Sequence, residues 1–136
     1  MTAFVLDAST VIAWAIEDER QGRAVDVLIR LRTGDEARVP ALWWFEVRNA
    51  LVVNERRGRL SEADTATLLR ELARLPVGID RAPDETGILA LARHHRLTAY
   101  DAAYLELARR ASLPLASLDK ALRRAASASG VALLGD

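Results

Sequence analysis

Ala3-Phe4-Val5-Leu6-Asp7-Ala8-Ser9-Thr10 opens on a run of apolar residues and stops it with an acid. A short continuous apolar run reads as a strand covered on both faces, as parallel strands in α/β sheets are. Asp7 then stands at the carboxyl end of that strand, the edge at which such sheets bind their ligands. Working outward, residues 10–16 form a short helix, with Ser9 or Thr10 as its cap. Residues 19–32 keep a helical period through Ala24, Val27, Leu28 and Leu31, and Gly34 ends them. Arg38-Val39-Pro40 is a strand, and residues 41–57 are a long helix stopped by Gly58. Ser61-Glu62-Ala63-Asp64 has the capping-box form and opens a helix to Leu75. Residues 77–80 are a strand and residues 84–95 a helix. Thr98-Ala99-Tyr100-Asp101 repeats the capping-box form and opens a helix to Ala111. Leu115-Ala116-Ser117-Leu118 is a strand ending at Asp119, a helix runs on to Ala126, and residues 131–134 are a last strand. Strands alternating with helices predict an α/β open sandwich with a mainly parallel central sheet flanked by helices and right-handed crossovers.

The chain has 136 residues, which favours one domain spanning residues 1–136. It has no cysteine, so disulfide frameworks, thiolate metal sites and a cysteine nucleophile are excluded. Its longest apolar run, Val11 to Ile16, is far short of a membrane span. The N-terminus lacks a basic segment and Asp7 interrupts its apolar stretch, which argues against a signal peptide and for a cytoplasmic protein. Basic and acidic residues balance at 19 each, so any contact with nucleic acid needs a local patch. Lys120 is the one lysine; all other cations are arginines.

Asp7 and Asp119 both end strands, and Asp101 lies in the first turn of a helix. Glu46 is embedded in Leu42-Trp43-Trp44-Phe45-Glu46-Val47, an apolar setting for a carboxylate. Each residue alone has a plainer reading. Asp119 can cap the helix that follows it, Asp101 can serve as the acid of its helix's capping box, and Glu46 can lie on the exposed stripe of its own helix. Together they form an acidic crevice. Two charges 4 Å apart repel by ~4 kcal/mol at an effective dielectric of 20, so four carboxylates need protons or a cation. An all-oxygen site selects Mg²⁺ or Mn²⁺, the equipment of phosphodiester hydrolysis. Other phosphate chemistries fail: there is no Walker lysine loop, and Asp7-Ala8-Ser9-Thr10 has no glycines. Position 9 is serine where an aspartate-nucleophile phosphatase wants a second acid, and Lys120 follows a strand-end acid rather than ending a strand.

Four segments resemble PIN-domain ribonucleases, specifically the VapC-type toxins of type II toxin–antitoxin pairs. They are Phe4-Val5-Leu6-Asp7-Ala8-Ser9, Phe45-Glu46-Val47-Arg48-Asn49-Ala50-Leu51, Thr98-Ala99-Tyr100-Asp101-Ala102-Ala103-Tyr104, and Leu118-Asp119-Lys120-Ala121-Leu122. Their order covers essentially the whole chain. The resemblance implies a PIN-like fold and a metal-dependent endoribonuclease. It implies Mg²⁺ or Mn²⁺ held by Asp7, Asp101 and Asp119, with Glu46 helping as ligand or water positioner. Ser9 sits beside the first acid. It further implies an RNA substrate needed for translation, often tRNA or rRNA, with 5′-phosphate and 3′-hydroxyl ends. A small VapB-like antitoxin blocks the pocket, and homodimers are usual. A housekeeping PIN nuclease and a non-catalytic PIN-like binding module are the alternatives.

Glu46, Asn49, Val53 and Arg56 or Arg57 follow helical spacing, so an RNA backbone leaving the acids can run along Asn49 to Arg56 and Arg57. The same arginines, with Arg59, also suit a solvated helix C-terminus. Arg109-Arg110 and Lys120 to Arg124 are further cationic clusters open to the same two readings. His94 and His95 are adjacent rather than a turn apart, which suits a helix end better than a shared metal. Trp43 and Trp44 cannot share one helix face, so either one packs inward and the other serves a subunit or partner contact, or both pack at the core edge. The helix from Ser61 is a second candidate partner surface.

Overall fold

The computed structural model describes residues 2–16 and 22–135. Its elements in chain order are β1 (Ala3–Leu6), α1 (Ala8–Ala15), α2 (Gly22–Arg32), β2 (Glu36–Pro40), α3 (Leu42–Arg56) and α4 (Glu62–Leu72). They continue with β3 (Val77–Asp80), α5 (Glu85–His95), α6 (Ala99–Ala111), β4 (Leu115–Ala116) and α7 (Lys120–Ala128). The strands form one parallel sheet in the order β3-β2-β1-β4, flanked by the helices, as the alternation predicts. Val5 pairs with Arg38 of β2 on one side and Leu115 of β4 on the other. The chain therefore leaves β1 toward β2 and returns to it at β4, which makes the carboxyl end of β1 the topological switch point.

Phe4, Val5 and Leu6 are all buried, which is why β1 shows no polar alternation. Such side chains contribute about 1.5–3 kcal/mol each when fully buried. α6 packs on β1 and β2, and every residue from Ala102 to Ala108 is buried. Trp14 ties α1 to α2 by donating its indole N–H to the Ala24 carbonyl at 2.7 Å. Trp43 is buried and Trp44 exposed, so adjacent tryptophans do face apart. Leu68 and Leu72 of α4 pack into the chain's own core. Among the described residues, no helix is long and apolar enough to cross a membrane.

Several boundaries differ from the sequence reading. α1 starts at Ala8, with Asp7 rather than Ser9 or Thr10 at the cap position and no side-chain cap bond. The Ser9 hydroxyl is instead turned onto the Asp7 carboxylate. α2 begins at Gly22; the expected start at Glu19 lies outside the described residues. α4 ends at Leu72 rather than Leu75, because Pro76 disfavours helical backbone at the residue before it and the last turn is already unwinding. The Ser61 capping box closes in both directions, but the Thr98 box closes in one only. β4 stops at Ala116, because the groups that follow leave the ladder for side chains: the Ser117 hydroxyl bonds Asp7, the Leu118 N–H bonds the Ser9 hydroxyl and the Asp119 N–H bonds the Ser117 hydroxyl. The last predicted strand is reduced to a single bridge between Leu115 and Leu133, since the two-residue β4 has no further edge to pair.

Candidate active site

Asp7 leaves the end of β1 and is almost fully buried, with its backbone N–H on the Ala116 carbonyl at 2.9 Å. Its Oδ2 accepts two hydroxyls, from Ser9 and from Ser117, each at 2.7 Å. Each serine in turn accepts a backbone N–H from the segment after β4: Leu118 on Ser9 at 3.0 Å, Asp119 on Ser117 at 3.1 Å. The two serines thus lock the end of β1 to the end of β4 through one carboxylate oxygen. Burial raises the Asp7 pKa, the two hydroxyls oppose that rise, and the nearby Asp119 charge adds to it.

Glu46 comes from the second turn of α3 and is half-buried. The Tyr104 hydroxyl, reaching across from α6, donates to its Oε1 at 2.5 Å. Burial raises the Glu46 pKa, the tyrosine bond opposes it, and the charges of Asp7 and Asp101 add to the rise. Asp101 sits one turn before Tyr104 on α6. Its carboxyl is pushed up to about 6, first by burial and then by Asp119 and Asp7. Asp119 caps α7, its Oδ2 accepting the Leu122 N–H at 2.8 Å, and it also lines the cleft. Capping and facing the cleft are compatible for this residue.

Asp7, Ser9, Glu46, Asn49, Asp101 and Asp119 line one cleft of about 850 Å³. All six are candidates of the sequence reading: the four acids by their place in the fold, Asn49 by helical spacing from Glu46, and Ser9 through the family resemblance. Arg56 and Arg57 do not line it. Arg56 lies ten residues beyond Glu46, about 15 Å along the helix, so a shared stripe does not give a shared site. Among the described residues, the cations at the cleft are Arg23 of α2 and Lys120 and Arg123 of α7. The sequence reading missed Arg23, which lines the cleft, and Tyr104 and Ser117, which are buried behind it and bond two of its acids. Nothing local marks Arg23, but a hydroxyl inside the apolar runs around Tyr104 and Ser117 is a signal that a polar partner waits elsewhere.

The donor set is oxygen only, carboxylates backed by hydroxyls, which suits a hard divalent cation. Among the described residues, no three acidic or histidine side chains are gathered into a ready-made metal cage. The carboxylates instead ring the cleft from four elements, and burial followed by neighbouring negative charge raises the pKa of Asp7, Glu46 and Asp101. A second cavity of about 880 Å³ lies between α5, α6 and the end of α7 and includes His94, His95 and Glu106. Its buried acid is already matched: Glu106 accepts from Arg110 at 2.7 Å and from the Asp84 N–H at 2.9 Å. His95 meets the Ser129 hydroxyl at 3.0 Å, in keeping with a helix-end role.

The PIN domain family profile matches residues 4–128, and the chain belongs to that family. It is 35% identical over 124 residues to Ribonuclease VapC3 of Pyrobaculum aerophilum, covering 87% of this chain and 90% of that protein. Two crystal structures share the fold. PAE2754 from Pyrobaculum aerophilum superposes with a TM-score of 0.70 at 22% identity, over 91% of this chain and 84% of that one. FitAcB from Neisseria gonorrhoeae gives 0.59 at 18% identity, over 99% and 97%.

Proposed function

We propose that this chain, as a single PIN domain over residues 1–136, is a Mg²⁺- or Mn²⁺-dependent endoribonuclease and the toxin of a toxin–antitoxin pair. The observation that carries the reading is the meeting of Asp7, Glu46, Asp101 and Asp119 in one cleft at the switch point of the sheet. The 35% identity to a ribonuclease over most of the chain supports the substrate class. Asp7, Asp101 and Asp119 would hold the ion, with Glu46 as a further ligand or as the group that orients the attacking water. When bound, the ion supplies Lewis-acid stabilisation of the scissile phosphate and activates water. Ser9 and Ser117 fix the direction of the Asp7 carboxylate, and Asn49 and Lys120 border the path of the RNA. Water adds to phosphorus and the P–O3′ bond breaks, leaving 5′-phosphate and 3′-hydroxyl ends.

The physiological setting proposed is the cytoplasm, with tRNA or rRNA as substrate and translation as the process stopped. A VapB-like antitoxin would insert an arginine or lysine of its C-terminal segment among the carboxylates, a charge-assisted contact that competes with the ion. The exposed Trp44 and Phe45 of α3 give an apolar surface for a homodimer. The test is brief expression without antitoxin, followed by sequencing of RNA ends. Growth arrest with new 5′-phosphate ends is expected from the wild type and not from Asp101→Asn. A folded wild-type protein that accumulates freely and leaves all RNA intact ends the toxin reading.

A further inference from the structure

We propose that Tyr104 is a positioning residue that acts through Glu46: its phenol anchors one carboxylate oxygen so that the other faces the acidic cleft. The inference rests on the reading of that cleft as a metal-dependent nuclease site. Tyr104 is fully buried in the middle of α6, between small and apolar neighbours such as Ala103 and Leu105. Phenylalanine would serve the packing at such a position. The one feature tyrosine adds is a hydroxyl in the core, which must find a partner there. It finds Glu46, 58 residues away on α3, at 2.5 Å. That is the short range expected when a hydroxyl donates to a carboxylate.

The geometry gives the bond a direction. Only Oε1 of Glu46 is engaged, and no other hydrogen bond to this side chain occurs among the described residues. Oε2 is left for the cleft that Glu46 lines. A glutamate on a helix surface has several rotamers, and without an anchor its carboxylate samples them. Tyr104 lies one turn after Asp101, so α6 presents one acid directly and orients a second from another helix. The spacing between Asp101 and Glu46 is thereby set by a single rigid element.

The experiment compares wild type, Tyr104→Phe, Glu46→Gln and the double variant. Three quantities are read: melting temperature without metal, the Mn²⁺ dissociation constant, and kcat and KM on an RNA oligonucleotide. Tyr104→Phe is expected to weaken Mn²⁺ binding or kcat by about 10–100-fold, the range for partners that orient a metal-site ligand. KM for RNA should stay within about twofold, because the phenol touches no substrate. In the Glu46→Gln background the same change should add less than about twofold, since its route of action is gone. Losses that add in full, or a Tyr104→Phe protein indistinguishable from wild type, overturn the proposal. Where Tyr104→Phe does not fold, 3-fluorotyrosine in a Tyr100→Phe background gives a single ¹⁹F probe, as the chain has two tyrosines. Its resonance should shift with Glu46→Gln and broaden with Mn²⁺; no response to either also overturns it. A wild type that binds no Mn²⁺ and cuts no RNA is a different failure, which removes the reading of the cleft and the proposal with it.

Discussion

The Asp101 backbone N–H reaches the Thr98 hydroxyl at 3.0 Å, but no bond returns from the Asp101 carboxylate to Thr98. At the start of α4 the equivalent acid, Asp64, does return it, at 2.9 Å to the Ser61 N–H. A hydroxyl residue three positions before an aspartate therefore leaves one acid spent on its cap and the other turned into the cleft.

Asp101→Asn is expected to separate the two roles. It keeps the Thr98 bond, which uses the backbone, and removes one charge from the crowded cleft. Without metal the variant should melt at or above the wild-type temperature, because like-charge repulsion falls. Mn²⁺ should raise the wild-type melting temperature by mass action and the variant's much less. RNA cleavage should fall by more than the about 10–100-fold that loss of an outer-sphere partner costs. Melting curves with and without Mn²⁺, beside a cleavage assay, decide it; an active, metal-responsive variant would contradict the role given to Asp101.

The raised Asp101 pKa predicts an unusual pH dependence of the metal-free protein. The unfolded carboxyl ionises near 3.8 and the folded one near about 6. Between those values the native state holds the proton longer, so stability attributable to this group falls as pH rises through that window and is level outside it. Asp80 acts oppositely, since the Arg110 guanidinium holds its carboxyl below the usual range and its contribution is lost on acidification. The clean measurement is the difference in unfolding free energy between wild type and Asp101→Asn. That difference should move against the wild type from about pH 4 to 6. A difference that does not vary with pH would show that Asp101 titrates normally.

Much of this arrangement was legible because it is local. Phe4, Val5 and Leu6 announce a doubly covered strand, and Ser61 with Asp64 announces a helix start. The adjacent parallel strands β1 and β4 then bring Asp7 and the segment that carries Asp119 to one edge of the sheet. The unread part consists of bonds between distant elements. Ser117 meets Asp7 across 110 residues and Tyr104 meets Glu46 across 58. No periodicity encodes which hydroxyl will face which acid. Arg56 and Arg57 show the opposite limit: helical spacing fixes a face but not how far along it a site extends.

Asp119 joins two functions in one side chain, and two substitutions pull them apart. Asparagine caps helices about as well as aspartate, so Asp119→Asn should keep the bond to the Leu122 N–H and cost little stability. Asp119→Ala should lose about 1 kcal/mol through the cap. Both remove the charge that helps raise Asp101, so the Asp101 titration should move toward its ordinary value in each. If the two variants differ in Mn²⁺ affinity as much as in stability, the cap alone explains the residue.

The placement of cations predicts which ones handle RNA. Lys120, the exposed first residue of α7, borders the cleft, whereas Arg56 and Arg57 lie beyond it. A cation on a phosphate acts on binding rather than on the chemical step. Lys120→Ala should therefore raise KM several-fold with kcat nearly unchanged. It should also lower the salt dependence of binding by about 0.7 in log–log slope, the value for one contact to single-stranded nucleic acid. Arg56→Ala with Arg57→Ala should leave both KM and the slope close to wild type for an oligonucleotide short enough to fill only the cleft. Cleavage kinetics without the Asp101 substitution give KM and kcat, and titrations of such an oligonucleotide at several salt concentrations in a binding-competent, non-cleaving Asp101→Asn background give the slope for all three proteins alike. A larger effect from the arginine pair than from Lys120 would mean that the RNA leaves along α3, and that the α7 side of the cleft is only its wall.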